Sequence, residues 1–262
     1  MSFVIAFCHQ KGGVAKTTSA LALGGCFAEM EHETLMIDLD PQANLTHGVG
    51  LDPAQMRHSA ADVLLGNRTL LQVSRETGMP GLDIVPGNVD MLTAARFLYL
   101  RPGYEFLLRD SLRLPELSFY DLVLIDCPPS LGPLTLNALT AADLVIIPTQ
   151  CEAFSMQALN GIFKLVNVVW SKTNPKLSFK LLVTMFDKRV RLHQRVYEQL
   201  QASFPHSMFN VEIGVDTKLK ESQLDGQLLI NYTRSSRALK QYRTLAQELE
   251  PLIERHALQS AA

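Results

Sequence analysis

The chain has 262 residues, 47% of them hydrophobic and 19% charged, with a formal net charge of −2. Such proportions suit a folded α/β domain with a full core and exclude a disordered chain. No uninterrupted apolar run approaches the about 18 residues that a membrane span needs.

Short runs rich in Val, Ile and Leu recur at residues 3–7, 34–37, 82–85, 122–125, 144–147 and 181–185. They do not alternate polar with apolar, which predicts strands covered on both faces. Residues 17–30, 134–141 and 192–202 carry helix-like patterns between them. Alternating β and α elements predict an α/β fold: one domain over residues 1–262, with a doubly wound, mostly parallel sheet and helices on both faces. The N-terminus lacks a basic region and runs directly into a motif, so it reads as a buried strand rather than a signal peptide.

Cys8, Cys26, Cys127 and Cys151 are far apart and form no CxxC pair. They read as core thiols of a reducing cytosol, not as a zinc site or a disulfide framework. Residues 237–258 place Leu239, Tyr242, Leu245, Ala246, Leu249, Leu252 and Ile253 at helical spacing, with Pro251 expected to kink the helix. Glu248, Glu250 and Glu254 beside Arg255 give it a polar face without the cationic character of a lipid-surface helix. Charge is uneven along the chain. Residues 172–243 hold 13 Lys/Arg against 6 Asp/Glu, and the other 190 residues hold 11 against 20. A basic segment on an acidic body is what a local polyanion-binding surface requires.

The first strand leads into His9-Gln10-Lys11-Gly12-Gly13-Val14-Ala15-Lys16-Thr17-Thr18 and then an apolar helix. Strand, small-residue loop, Lys-Thr and helix together make a phosphate cradle, with backbone N–H groups and the helix dipole facing the anion. Lys16 is expected to neutralise the β/γ-phosphates, and the Thr17 hydroxyl to ligate Mg²⁺. The generic G-x-x-x-x-G-K-[ST] pattern fails at Gln10 and Ala15, whereas K-G-G-x-G-K-[ST]-[ST] fits everywhere but Ala15.

On those residues the chain resembles the ParA/MinD superfamily of deviant-Walker ATPases. The resemblance implies ATP and Mg²⁺ as cofactors, ATP hydrolysis, and a sandwich homodimer in which Lys11 reaches the partner's nucleotide. Gly12, Gly13, Val14, Ala15, Lys16, Thr17 and Thr18 would then hold the phosphates. Ala15 is tolerated there if its local φ is negative.

Four further strings agree with the family. Asp38-Leu39-Asp40-Pro41-Gln42-Ala43-Asn44 matches D-x-D-P-Q-x-N, implying that Asp40 orients the attacking water and that Asp38 supports the Mg²⁺ end. Residues two apart point to the same side of an extended chain, so both carboxylates can face one ligand. Asp126, closing an apolar strand before Cys127-Pro128-Pro129-Ser130, takes the Walker B role toward Mg²⁺. Pro148-Thr149-Gln150-Cys151-Glu152 matches P-x-Q-x-E, and Thr184-Met185-Phe186-Asp187-Lys188-Arg189 matches T-M-x-D-x-R. By the same resemblance Met185 flanks the adenine, and Ile213 and Asp216 line its other side, although Gly214 stands where the family commonly has Pro.

Partition members of the family bind DNA without sequence preference. The matching cations here are Lys218 and Arg237, with Lys220, Arg234, Lys240 and Arg243 nearby in sequence. The implied partners are nonspecific DNA and a ParB-like or other cargo adaptor that stimulates hydrolysis. No membrane is expected, and the location is cytoplasmic and nucleoid-associated. With the first strand at Phe3, the helix-turn-helix domain of longer relatives is not expected here. Alternatives are a MinD-like membrane-associated spatial regulator, an iron–sulfur reductase or metal-insertion ATPase, and a nucleotide-binding regulator that does not hydrolyse.

Overall fold

Alternate residues of the first strand enter two different cores, as a continuous apolar run demands. Phe3, Ile5 and Phe7 belong to one cluster, and Val4, Ala6 and Cys8 to the other. The structure is a computed structural model that describes residues 1–261. Among these residues seven strands form one sheet: β1 Phe3–Phe7, β2 Thr34–Asp38, β3 Arg75–Glu76, β4 Leu82–Val85, β5 Leu122–Asp126, β6 Leu144–Gln150 and β7 Ser178–Thr184. Their order is β3-β4-β2-β5-β1-β6-β7, parallel throughout except where β3 meets β4.

The expected strand at 181–185 begins earlier, at Ser178, and stops at Thr184. Met185 has φ +53°, a left-handed conformation that ends an extended chain. The expected helix at 17–30 occupies Lys16–Glu29. That helix packs with the long C-terminal helix Arg237–Ala261 against one face of the sheet. Helices Ala60–Leu65, Asp90–Leu98, Leu107–Leu112, Pro133–Ala141 and Ser155–Lys172 lie on the other core.

In the C-terminal helix Leu239, Tyr242, Leu245, Ala246 and Leu249 are fully buried. Each of the three leucines contributes about 1.5–3 kcal/mol of transfer free energy. Tyr242 Oη lies 3.0 Å from Ser19 Oγ inside the core, and Arg243 donates to both Glu29 carboxylate oxygens at 2.7 Å. The helix continues through Pro251. Among the described residues no helix is long and apolar enough to cross a membrane, and all four cysteines are buried free thiols.

Candidate nucleotide site

A parallel sheet gathers the C-terminal ends of its strands on one edge, which is where open α/β sheets bind ligands. Here that edge collects the loop after β1, the Asp38–Asn44 string after β2 and Asp126 at the end of β5. Phe7 and Asp126 are register partners, as are Asp38 and Asp126. Asp126 therefore stands between the phosphate loop and the β2 carboxylates.

Within the loop, Gly13 has φ +73°, and a Cβ at Gly12 or Gly13 would meet nothing within 4 Å. The cradle is open and shaped for an anion approaching the backbone. Ala15 has φ +72° and ψ +32°. The condition of a negative φ is not met: the methyl group sits in left-handed backbone, at a cost of about 1–2 kcal/mol. The surroundings hold it there. Thr184 Oγ1 donates to Val14 O at 3.1 Å, Gln150 Nε2 donates to Gly13 O at 2.9 Å, and Ser19 N donates to Ala15 O at 2.9 Å.

Thr17 Oγ1 donates to Asp126 Oδ2 at 2.5 Å, leaving Asp126 Oδ1 buried without a hydrogen-bond partner. Burial pushes Asp126 well above the usual carboxylate range, and the neighbouring Asp38 charge adds to the shift. Burial also raises Asp38, to about 6, against the hydrogen bonds it accepts. Its Oδ2 accepts from Thr46 N at 2.9 Å and Thr46 Oγ1 at 2.7 Å, and its Oδ1 accepts from Asp40 N at 3.1 Å. Asp38 is thus occupied by the protein, whereas Asp126 keeps an oxygen in reserve. Asp40 is raised by burial too, opposed by a hydrogen bond from Gln42 N and by the Lys16 charge. Crowded buried carboxylates of this kind suit a hard divalent cation, which takes oxygen donors and relieves their repulsion. Together with the open cradle, they fit a phosphate–magnesium group.

Lys11 is turned back onto its own chain. Its ammonium donates to Gln150 Oε1 at 3.0 Å and to Glu152 Oε2 at 2.6 Å. His9 Nδ1 accepts from Lys11 N at 2.9 Å, and burial with the Lys16 and Lys11 charges lowers His9 to about 4. Met185 Sδ accepts from Gln150 Nε2 at 2.9 Å, which places it beside the loop. Ile213 is buried and pairs with β7 through Val183 O. Asp216 caps the helix Thr217–Leu224 and accepts from Ala238 N.

Sequence reading missed several residues of the loop's pocket, among them His47, Pro129 and Gln223. Gln223 Nε2 donates to Thr18 Oγ1 at 2.9 Å across 205 positions of sequence. Among the basic residues, Lys218 pairs with Glu221 at 2.7 Å, Arg237 donates to Val215 O at 2.6 Å and Arg243 is held by Glu29. Lys220, Arg234 and Lys240 are exposed, with no carboxylate within ion-pair distance among the described residues.

Comparison with known proteins gives the family. A family model described as "AAA domain" matches residues 2–179. The chain is 37% identical over 247 residues to the chromosome partitioning protein ParA of Myxococcus xanthus, covering 94% of this chain and 87% of that protein. It is 34% identical over 250 residues to the sporulation initiation inhibitor protein Soj of Bacillus subtilis, covering 95% and 98%. The chain belongs to the ParA/Soj family of partition ATPases. Among solved structures, a Mycobacterium smegmatis protein described as cobyrinic acid a,c-diamide synthase, with bound ATP analog and magnesium, superposes with a TM-score of 0.81 at 33% identity. That match covers 95% of this chain and 94% of the other. ParA/Soj membership agrees with the seven-stranded, mostly parallel sheet and the helices around it.

Proposed function

We propose that the chain is a Mg²⁺-dependent ATPase whose ATP state is a homodimer that binds DNA nonspecifically and positions a cargo. The observation that carries this reading is the Thr17–Asp126 pair, with its unpartnered buried oxygen, set directly behind an open phosphate loop. Gly12, Gly13, Val14, Ala15, Lys16, Thr17 and Thr18 hold the phosphates. Thr17 and Asp126 hold the magnesium ion, which, when bound, neutralises phosphate charge. Asp38 sits behind them, orienting the segment at Thr46 and adding negative charge. Asp40, accepting from Gln42 N at 2.9 Å, orients the attacking water, and Lys16 stabilises charge on the transferring phosphoryl group. Met185, Ile213 and Asp216 belong to the segments that frame the base.

In the dimer, Lys11 leaves Glu152 and crosses to the partner's nucleotide. Lys220, Arg234 and Lys240 are the free cations for phosphate backbones, joined by Lys218 once it releases Glu221. A few such contacts per protomer give micromolar, strongly salt-dependent binding, on the order of that known for nonspecific complexes. A ParB-like or other adaptor then triggers hydrolysis and release from the nucleoid. The carboxylates of the C-terminal helix give no support to membrane docking, since Glu248 binds Asn210 N and Val211 N and Glu250 binds His32.

The test is sedimentation of Asp40→Ala, which blocks turnover, with and without Mg-ATP, followed by DNA retention at low and high salt. An ATP-dependent dimer that holds DNA only at low salt is expected. A monomer at saturating ATP sinks the switch. A dimer that holds no DNA even at low salt sinks the DNA reading alone.

A further inference from the structure

Gly214 has no side chain, and the guanidinium of Arg237 occupies the space where one would stand. A Cβ at Gly214 would lie 2.7 Å from Nη2, 3.0 Å from Cζ and 3.3 Å from Nε of Arg237. The group is fixed there: Nη2 donates to Val215 O at 2.6 Å, and Gly214 N donates to Gln241 Oε1 at 3.0 Å.

Arg237 and Gln241 are two walls of a cavity of about 740 Å³, closed elsewhere by residues that include Phe186, Arg189, Glu212 and Val215. That volume lies within the roughly 300–1,000 Å³ range of small-molecule pockets. The cavity's lining begins at Phe186, two residues beyond Thr184, which is bonded to the phosphate loop. Thr184 Oγ1 donates to Val14 O, and Gln150 Nε2 bridges Gly13 O and Met185 Sδ. On the opposite side, the helix that follows Gly214 is tied to the loop's helix by Gln223 and Thr18. A nucleotide with its phosphates in the loop thus has this cavity as the adjoining room.

We propose that Arg237 is a nucleobase-contacting residue, its guanidinium forming one wall of the pocket that holds the purine of ATP. The inference rests on the nucleotide reading above. A guanidinium is planar, weakly hydrated and stacks readily on aromatic faces. Here it is ordered in advance by Gly214 and Val215, so little side-chain freedom is lost when a base arrives.

Two ligands separate the possibilities: a non-hydrolysable ATP analogue with Mg²⁺, and inorganic tripolyphosphate with Mg²⁺, titrated calorimetrically into the full chain. Arg237→Ala is expected to weaken the ATP analogue about tenfold, as loss of a partly desolvated cation–π contact does, and to leave tripolyphosphate unchanged. Gly214→Ala, which expels the guanidinium without removing it, is expected to give a similar selective loss. The double variant is expected to lose no more than either single one, because both changes remove the same contact. Equal affinity of wild type and Arg237→Ala for the ATP analogue overturns the proposal. So does an equal loss for both ligands, which would mark Arg237 as a support of the phosphate loop. Failure of wild type to bind either ligand overturns the nucleotide reading itself, and this inference with it.

Discussion

The ammonium of Lys11 lies 2.6 Å from a carboxylate oxygen of Glu152 in the same chain, and both side chains are about half exposed. An exposed ion pair is worth about 0–1 kcal/mol, so it holds Lys11 without trapping it. If Lys11 must leave this pair to cross a dimer interface, Glu152→Gln lowers the cost at both ends of the dimer. Sedimentation of Asp40→Ala with and without Glu152→Gln, at saturating Mg-ATP, is expected to show a dimer tightened by about three- to tenfold. A looser dimer would mean that Glu152 itself contributes across the interface.

Ala15→Gly addresses the left-handed residue at the mouth of the phosphate helix. Relief of the methyl's strain, about 1–2 kcal/mol, is partly offset by the about 0.5–1 kcal/mol entropic cost of glycine. A net gain of up to about 1 kcal/mol is expected, seen calorimetrically as a melting temperature higher by about 2–4 °C. An unchanged or lower value would show that the surroundings have already absorbed the strain.

His9 supplies a pH dependence. Its folded value, about 4, lies below its ordinary 6.5, so the stabilisation is complete above about 6.5 and is lost as pH falls toward 4. The difference corresponds to about 3 kcal/mol across that window. Urea unfolding at pH 7 and pH 4.5 is expected to show wild type losing more stability than His9→Asn, whose amide oxygen can still accept from Lys11 N. Parallel pH profiles for the two proteins would contradict it.

Asp126→Asn is expected to trade function for stability. Burial and the Asp38 charge both oppose an ionised Asp126, so removing the charge stabilises the ligand-free fold near neutral pH. The same change removes the oxygen proposed to face magnesium. Thermal melts should therefore show a higher midpoint without ligand and a smaller upward shift on adding Mg-ATP. A variant melting below wild type, yet shifted as far by Mg-ATP, would remove Asp126 from the metal site.

Six of the seven strands were legible in the sequence because burial on both faces leaves an uninterrupted apolar signature. β3 was not legible: Arg75 and Glu76 are both exposed, and two residues of ladder carry no hydrophobic pattern. The loop and the three carboxylates were legible because their chemistry requires particular residue types at short spacing. Gln223 and His47 reach the same pocket only through folding, and nothing local to either residue announces it. The conformation of Ala15 was beyond a one-dimensional reading as well, since the bonds from Thr184, Gln150 and Ser19 fix that turn.

The Ser19–Tyr242 hydrogen bond and the paired contacts of Arg243 with Glu29 clamp the first helix and the last along their shared length. The two are therefore bound into one unit, with the phosphate loop at one end and Lys240 on its flank. A pair of spin labels placed across those two helices would keep one separation through the whole ATP cycle.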